Sequence, residues 1–379
     1  MKSEMKFIDQ GIVSSNPRDS VNQSNAFAKI CVTSTDRWIC GLRTAPSKQQ
    51  CACQQAAICY SDDQGKTWSR PITPFVPEPV SGKPGNFRCV GVTQINPDEL
   101  LAVISWVDQS NPTLPYFNKK TEGLLDTHIF FSRSYDDGQT WSTPEIMDTT
   151  PYNMPTPITG PVLVMPNGTL ACQFELNKHY EAPEPWVHHS VMMFSSDNGK
   201  TWPEHSQAND DPNNMIFYWD QRPNVVLSGR VLNLFWTYDK NTEGYLNVHA
   251  SESLDSGQTW SPMWDTQVPG QPAPPIPLAD GRIVMVCVDR TAIPAIKLRV
   301  SSDGGHTWPA ETELEIYRHD GKSQSVPNVD MNEAWNEMTA FSVGLPDTVG
   351  LPDGNVLVTY YVGPTTDHTA INWARIGLI

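Results

Sequence analysis

A short pattern repeated five times, Ser-x-Asp-x-Gly-x-Thr-Trp, constrains this chain more than any other feature. It reads SDDQGKTW from Ser61, SYDDGQTW from Ser134, SSDNGKTW from Ser195, SLDSGQTW from Ser253 and SSDGGHTW from Ser301. Successive copies lie 73, 61, 58 and 48 residues apart. Self-similarity at such a period marks a propeller or another array of stacked units. Each copy carries the chemistry of a tight turn. The aspartate (Asp63, Asp136, Asp197, Asp255, Asp303) can accept backbone N–H bonds and fold the loop on itself. The glycine supplies positive φ at no steric cost, and the tryptophan is an apolar anchor between neighbouring units. A calcium loop is the rival reading of Asp-x-Gly, but no bidentate glutamate follows at the required offset. The turns are expected to be structural.

The repeat also decides the domain count. A chain of 379 residues would ordinarily divide into two or three domains, whereas an array reads as one, spanning residues 1–379. The 33 Pro and 24 Gly, with only 18% charged residues, indicate many turns and short strands rather than helices. No stretch approaches the roughly 18 apolar residues of a membrane helix. With 26 Lys and Arg against 42 Asp and Glu, the net charge of −16 argues against a nucleic-acid or anionic-membrane partner. The N-terminal MKSEMKFIDQGIVSSNP has no apolar core and is not a secretory signal as written. The expected location is therefore cytoplasmic, or secreted or periplasmic if the chain has been trimmed. The eight cysteines are read as buried thiols, and Cys51-Ala-Cys53 does not have zinc-knuckle spacing. A two-residue turn at Thr35-Asp36 would set Cys31 opposite Cys40, which leaves a disulfide there open.

The phase of the unit can be read directly. Apolar runs such as HIFFSRS, VMMFSSD and IKLRVSS precede the repeats and form a third strand, and the repeat turns into a fourth. Further upstream lie hairpins with the turns Pro166-Asn167-Gly168, Ala279-Asp280-Gly281 and Pro352-Asp353-Gly354. Asn167-Gly168-Thr169 is formally a glycosylation sequon but is read as one of these turns. Units start near residues 25, 88, 158, 223, 272 and 346, which makes six. The sixth lacks the repeat because the chain stops in its third strand, INWARIGLI. Its fourth strand must come from elsewhere, and KFIDQGIV at 6–13 is predicted to supply it and close the ring.

The five turns are Asp-boxes, and over nearly its whole length the chain resembles the sialidase-like superfamily of BNR-repeat proteins. The resemblance implies an all-β fold, a six-bladed β-propeller of four-stranded antiparallel blades, and activity on a glycan. Carried over position by position, much of the sialic-acid machinery is missing. The Arg-Ile-Pro motif of the first inner strand falls on Asn25-Ala26-Phe27, and Phe87-Arg88-Cys89-Val90 resembles it only one blade later. The blade-five arginine matches Arg290. The blade-four arginine falls near Thr237-Tyr238, and the catalytic tyrosine falls on Leu345–Asp347, where there is none. The substrate is therefore not necessarily sialic acid.

In an up-and-down blade, inner-strand starts and the loops after second strands share the face opposite the Asp-boxes, and a pocket on the axis would use it. Glycoside hydrolysis needs two carboxyl groups, one a proton donor and one a nucleophile or base. Asp220 and Asp347, at inner-strand starts, are the expected pair, with Glu175 and Asp108 in reserve. Arg88, Arg222, Arg290, His179, Trp186 and Tyr238 are expected to bind substrate. His179 with arginine would instead suit β-elimination from a uronate. His188 and His189, adjacent on a strand, point to opposite faces and make no bidentate metal site; neither a metal nor a cofactor is expected. The leading reading is an exo-acting glycoside hydrolase on a carbohydrate substrate. A uronate lyase and a non-catalytic glycan- or protein-binding propeller remain the alternatives.

Overall fold

The computed structural model describes residues 5–18, 20–49, 52–209, 211–320, 334 and 341–378. Cys51 lies outside them. The fold is all-β with a propeller arrangement, and among the described residues helix is confined to the turns Leu227–Gly229 and Ala310–Thr312 and to Ala334. Among the described residues no helix is long and apolar enough to cross a membrane.

Four antiparallel sheets stand separately. The first contains Gly85–Asn96, Glu99–Asp108, Thr127–Ser134 and Glu145–Ile146. The second contains Leu163–Val164, Leu170–Leu176, His189–Ser195 and Glu204–Gln207. The third is built on Ile216–Val225, Val231–Asp239, Asn247–Ser253 and Trp264–Pro269, and the fourth on Gln271–Pro272, Ile283–Asp289, Ala295–Ser301 and Leu314–Arg318. A fifth sheet has seven strands. In it, Val343–Gly350, Val356–Thr365 and His368–Leu378 meet Ser24–Val32, Trp38–Ala45 and Gln55–Ser61 through one pairing, Ser24 with Thr369. The sequence predicts six separate units, and this single bridge is why two strand sets register as one sheet. Met5–Ser14 pairs antiparallel along His368–Leu378, from Met5 opposite Leu378 to Ser14 opposite Ile371.

Apolar alternation along each strand supplies cores between successive sheets. Val92 and Ile104 meet Ile39 and Ile58, Phe131 and Val103 meet Cys172 and Met193, and Leu232 and Leu234 meet Ile283 and Met285. The Asp-boxes hold the margins of these cores. Each begins on the last residue of a third strand. In the first, Ser61 Oγ accepts the Gly65 N–H at 2.9 Å, while Asp63 takes the Thr67 N–H at 2.9 Å and the Thr67 hydroxyl at 2.6 Å. The same aspartate-to-threonine pair of bonds recurs at Asp136, Asp197, Asp255 and Asp303. The box glycines sit at φ between 78° and 94°. Trp202 stacks on Phe131 of the preceding sheet at 5.0 Å, as an inter-unit anchor should.

Two expectations change in register. The unit read as starting near 223 begins at Ile216, because a bulge at 220–221 breaks the alternation used to place it. The turn after Val32 has three loop residues, not two: Thr33 N–H bonds to Arg37 O, and Asp36 sits at φ 65°. Cys31 therefore faces Ile39, while Cys40 faces Ile30. A one-residue slip sends side chains to opposite faces, so the two thiols enter different cores and both are free.

Candidate functional site

Four inner strands bulge at corresponding places. Pairing skips residues 27–28 between Ala26 and Lys29, Arg88 between Phe87 and Cys89, 220–221 between Trp219 and Arg222, and 345–346 between Gly344 and Asp347. A bulge leaves its extra residue out of the ladder and re-aims the side chain. Phe27, Asp220 and Leu345 do this in the left-handed region, at φ 59°, 52° and 39°. One residue from each bulge (Phe27, Arg88, Asp220 and Leu345) lines a single cavity of about 580 Å³. Second strands add Glu175, Trp236 and Tyr361 to its wall, and the segment after Ala45 adds Lys48.

The cavity reverses the charge of the chain. Lys29, Lys48, Arg88, Lys119, Arg222 and Arg290 line it, against two carboxylates, Glu175 and Asp220. Asp220 is engaged at both oxygens, by Arg222 Nη2 at 2.7 Å and by Gln271 Nε2 at 2.8 Å. Its backbone N–H donates to Glu175 Oε1, and Glu175 Oε2 lies 3.7 Å from His188 Nε2. Arg290 donates to Gln271 Oε1 at 3.0 Å and to the Val343 carbonyl at 2.9 Å. The Arg88 guanidinium lies between the Phe27 and Tyr116 rings, 4.9 and 4.4 Å from their centroids. Burial, with Arg222 nearby, lowers the pKa of Lys29 against the pull of Asp347. Burial lowers that of Lys48 well below the usual lysine value, reinforced by Arg290, Arg43 and Arg88.

Arg222 is 2% exposed, and its Nε and Nη1 have no hydrogen-bond partner. Buried N–H groups left without an acceptor are costly, and these two point to different sides of the guanidinium. An anionic group arriving with a ligand would be held by the combined charge of Arg88, Arg222 and Arg290. Trp219 and Trp236 form an aromatic wall of the same cavity.

The structure brings Asp220, Glu175, Arg88, Arg222 and Arg290 together on the cavity wall. Five other expected site residues do not line it. Asp347 is 1% exposed and tied to Lys29 behind the wall. His179 lies on the surface, bonded to Asp126 at 2.9 Å and to the Asn153 carbonyl at 3.0 Å, which removes it as a base inside the cavity. Trp186 and Tyr238 are buried and back Trp219, with ring planes within 20° and 22° of it. Asp108 pairs with Lys83 at 3.4 Å. Sequence reasoning passed over Lys29, Lys48, Trp219, Trp236 and Tyr361. Trp219 and Lys29 flank bulges, so a break in strand alternation was the signal available for them.

A family model described as a BNR repeat-like domain matches residues 103–358, and a BNR/Asp-box repeat matches residues 60–70. No curated protein sequence matches the chain. A protein of unknown function from Dyadobacter fermentans is similar in structure, with a TM-score of 0.75 over 99% of both chains at 17% identity. The Hadza microbial sialidase Hz136 has a TM-score of 0.63 over 94% of this chain and 66% of its own, at 16% identity. The intramolecular trans-sialidase from Ruminococcus gnavus, solved with oseltamivir carboxylate, has a TM-score of 0.63 over 96% of both chains at 12% identity. At these identities the likeness is one of fold.

Proposed function

The chain belongs to the BNR repeat-like domain family, within the sialidase-like group, and from that premise we propose that it is an exo-acting glycoside hydrolase for a sugar terminus bearing an anionic group. The observation that carries this reading is the placement of two carboxylates, Glu175 and Asp220, in one cavity with Arg88, Arg222 and Arg290. Asp220, held by Arg222 and Gln271, serves as nucleophile or base. Glu175, whose Oε2 is directed toward His188, is the proton donor. Arg88 and Arg290 add to the positive field that holds the acid group, and Trp219 and Trp236 offer faces for the sugar ring.

The architecture that goes with this function is one domain of six four-stranded blades, the seven-stranded sheet counting as two blades plus the strand at 5–14. Two things support this count. The Met5–Ser14 pairing supplies a fourth strand to the last set, and a shared core joins Ala26, Trp38 and Leu42 to Leu357 and Trp373.

A panel of fluorogenic glycosides, acidic (sialoside, uronide) and neutral, tests the function with wild type, Asp220→Asn and Glu175→Gln. Turnover of an acidic member, reduced at least about a hundredfold in both variants, is the expected result. Turnover unchanged in both variants overturns the residue assignment. Binding of an acidic sugar without any turnover would identify a non-catalytic glycan-binding propeller instead.

A further inference from the structure

One flank of the cavity is walled by a piece of chain that the hydrolysis itself does not use. The connection between Glu99–Asp108 and Thr127–Ser134 runs over 109–126, whereas the corresponding connections at 240–246, 290–294 and 366–367 are much shorter. Within it, Phe117–Asn118 and Gly123–Leu124 pair as a small hairpin. The Leu125 N–H closes its base on the Tyr116 carbonyl at 3.0 Å. Pro115, Tyr116, Phe117 and Lys119 line the cavity.

The hairpin is fastened at base, tip and flank. At the base, the Arg88 guanidinium lies 4.4 Å from the centroid of the Tyr116 ring. At the tip, Asn118 Nδ2 and the Thr121 hydroxyl both donate to the Tyr180 carbonyl, at 2.9 and 2.5 Å, and the Leu124 N–H donates to the Lys178 carbonyl at 3.0 Å. Those carbonyls belong to the connection at 177–188, between Leu170–Leu176 and His189–Ser195. Gly123 lets the two backbones meet, since a Cβ there would stand 2.3 Å from the His179 oxygen. On the flank, Phe117 and Leu124 join the apolar cluster that holds Trp219 and Trp236, which belong to the sheet beyond that connection. An element with buried apolar contacts and backbone bonds along its length opens only at a cost, so the hairpin is built as a wall of the cavity.

A sugar inside a glycan carries a linkage on each side and needs a cleft open in two directions. A terminal sugar needs one opening. The hairpin runs from the Arg88 side of the cavity to the cluster of Trp219 and Trp236, and it closes the flank between them. We propose that the hairpin at 117–124 is the specificity determinant that confines this protein to chain ends, by blocking the second exit an internal sugar would require. The inference rests on the hydrolase reading and deepens it, by assigning the exo restriction to one segment. No residue of the hairpin takes part in bond breaking.

The test compares the full chain with two variants, each checked for folding by circular dichroism. In one, 117–124 is replaced by Asn-Gly, a turn that can join Tyr116 to Leu125 because those residues already share a hydrogen bond. In the other, Gly123→Val pushes the hairpin off the His179 and Tyr180 backbone; it decides alone if the replacement unfolds the chain. Each protein receives a small acidic fluorogenic glycoside and an oligosaccharide of the same acidic sugar whose non-reducing end is chemically blocked. Wild type is expected to turn over the glycoside and leave the blocked oligosaccharide intact. The ratio of blocked-oligosaccharide to glycoside turnover should rise at least about tenfold in the variants. Wild type cutting the blocked oligosaccharide overturns the inference, as does an unchanged ratio in a variant that still turns over the glycoside. A folded variant that has lost glycoside turnover overturns it too, since the hairpin then serves the reaction itself. In those cases the hydrolase reading survives. Wild type without turnover of any acidic glycoside removes both.

Discussion

Lys29 Nζ and Asp347 Oδ1 stand 3.4 Å apart, and the second Asp347 oxygen takes the Ile30 N–H at 2.8 Å. One carboxylate thereby joins Ser24–Val32 to Val343–Gly350, the inner strands of the two halves of the seven-stranded sheet. Asp347→Asn leaves a largely buried ammonium without its counter-charge and is expected to cost about 3 kcal/mol of stability, measured by urea unfolding. The kcat of the folded protein should stay at the wild-type level. A loss of a hundredfold or more without destabilisation would return Asp347 to the catalytic pair.

Arg222 lines the cavity while its Nη2 holds Asp220 at 2.7 Å. Arg222→Lys keeps the charge but cannot serve both directions with a planar fork. It is expected to raise KM for an acidic substrate by about ten- to a hundredfold, the weight of one or two charge-assisted bonds. Steady-state kinetics on an acidic and a neutral glycoside check this: KM should rise only for the acidic one, while a loss of kcat from a loosened Asp220 falls on both.

Much of this architecture was legible because the Asp-box is local. Its serine, aspartate, glycine and threonine bond within a few residues of one another, so the pattern reports its own geometry. The cavity was legible in part. Arg88, Asp220 and Arg290 could be placed because inner-strand starts and the loops after second strands converge. Asp347 and Tyr238 could not, because two-residue bulges at 220–221 and 345–346 change which side chains turn inward. Lys48 is held on the wall by Phe341 and Tyr361, hundreds of residues away in sequence, so nothing local singled it out.

The Asp-boxes set an acid limit. In Asp63, Asp136 and Asp197 the threonine hydroxyl, then the threonine N–H, holds the carboxyl below its ordinary range. In Asp255 and Asp303 burial opposes these bonds and is outweighed, leaving Asp303 at about 2. A carboxyl depressed on folding stabilises fully above its unfolded value of 3.8 and loses that contribution as pH falls through the folded one. Acid unfolding followed by tryptophan fluorescence should therefore fall between about pH 4 and pH 2. Thr307→Val, which deletes one of the bonds to Asp303, should move the midpoint upward.

Gly344 has no room for a side chain between Arg290 and Tyr361. Gly344→Ala is expected to displace the guanidinium and destabilise the fold by about 1–3 kcal/mol. It should raise KM for an acidic glycoside more than Gly168→Ala does, where a Cβ meets nothing within 4 Å. Steady-state kinetics of the two variants makes the comparison.

The four bulges give this scaffold an unusual freedom of inheritance. A residue inside a ladder answers to two neighbouring strands, so replacing it disturbs both. Phe27, Arg88, Asp220 and Leu345 stand outside their ladders, so no opposite residue pairs with them while they line the cavity. New specificities can therefore be written at Phe27 and Leu345, beside the fixed Asp220, while the sheets behind them are passed on unchanged.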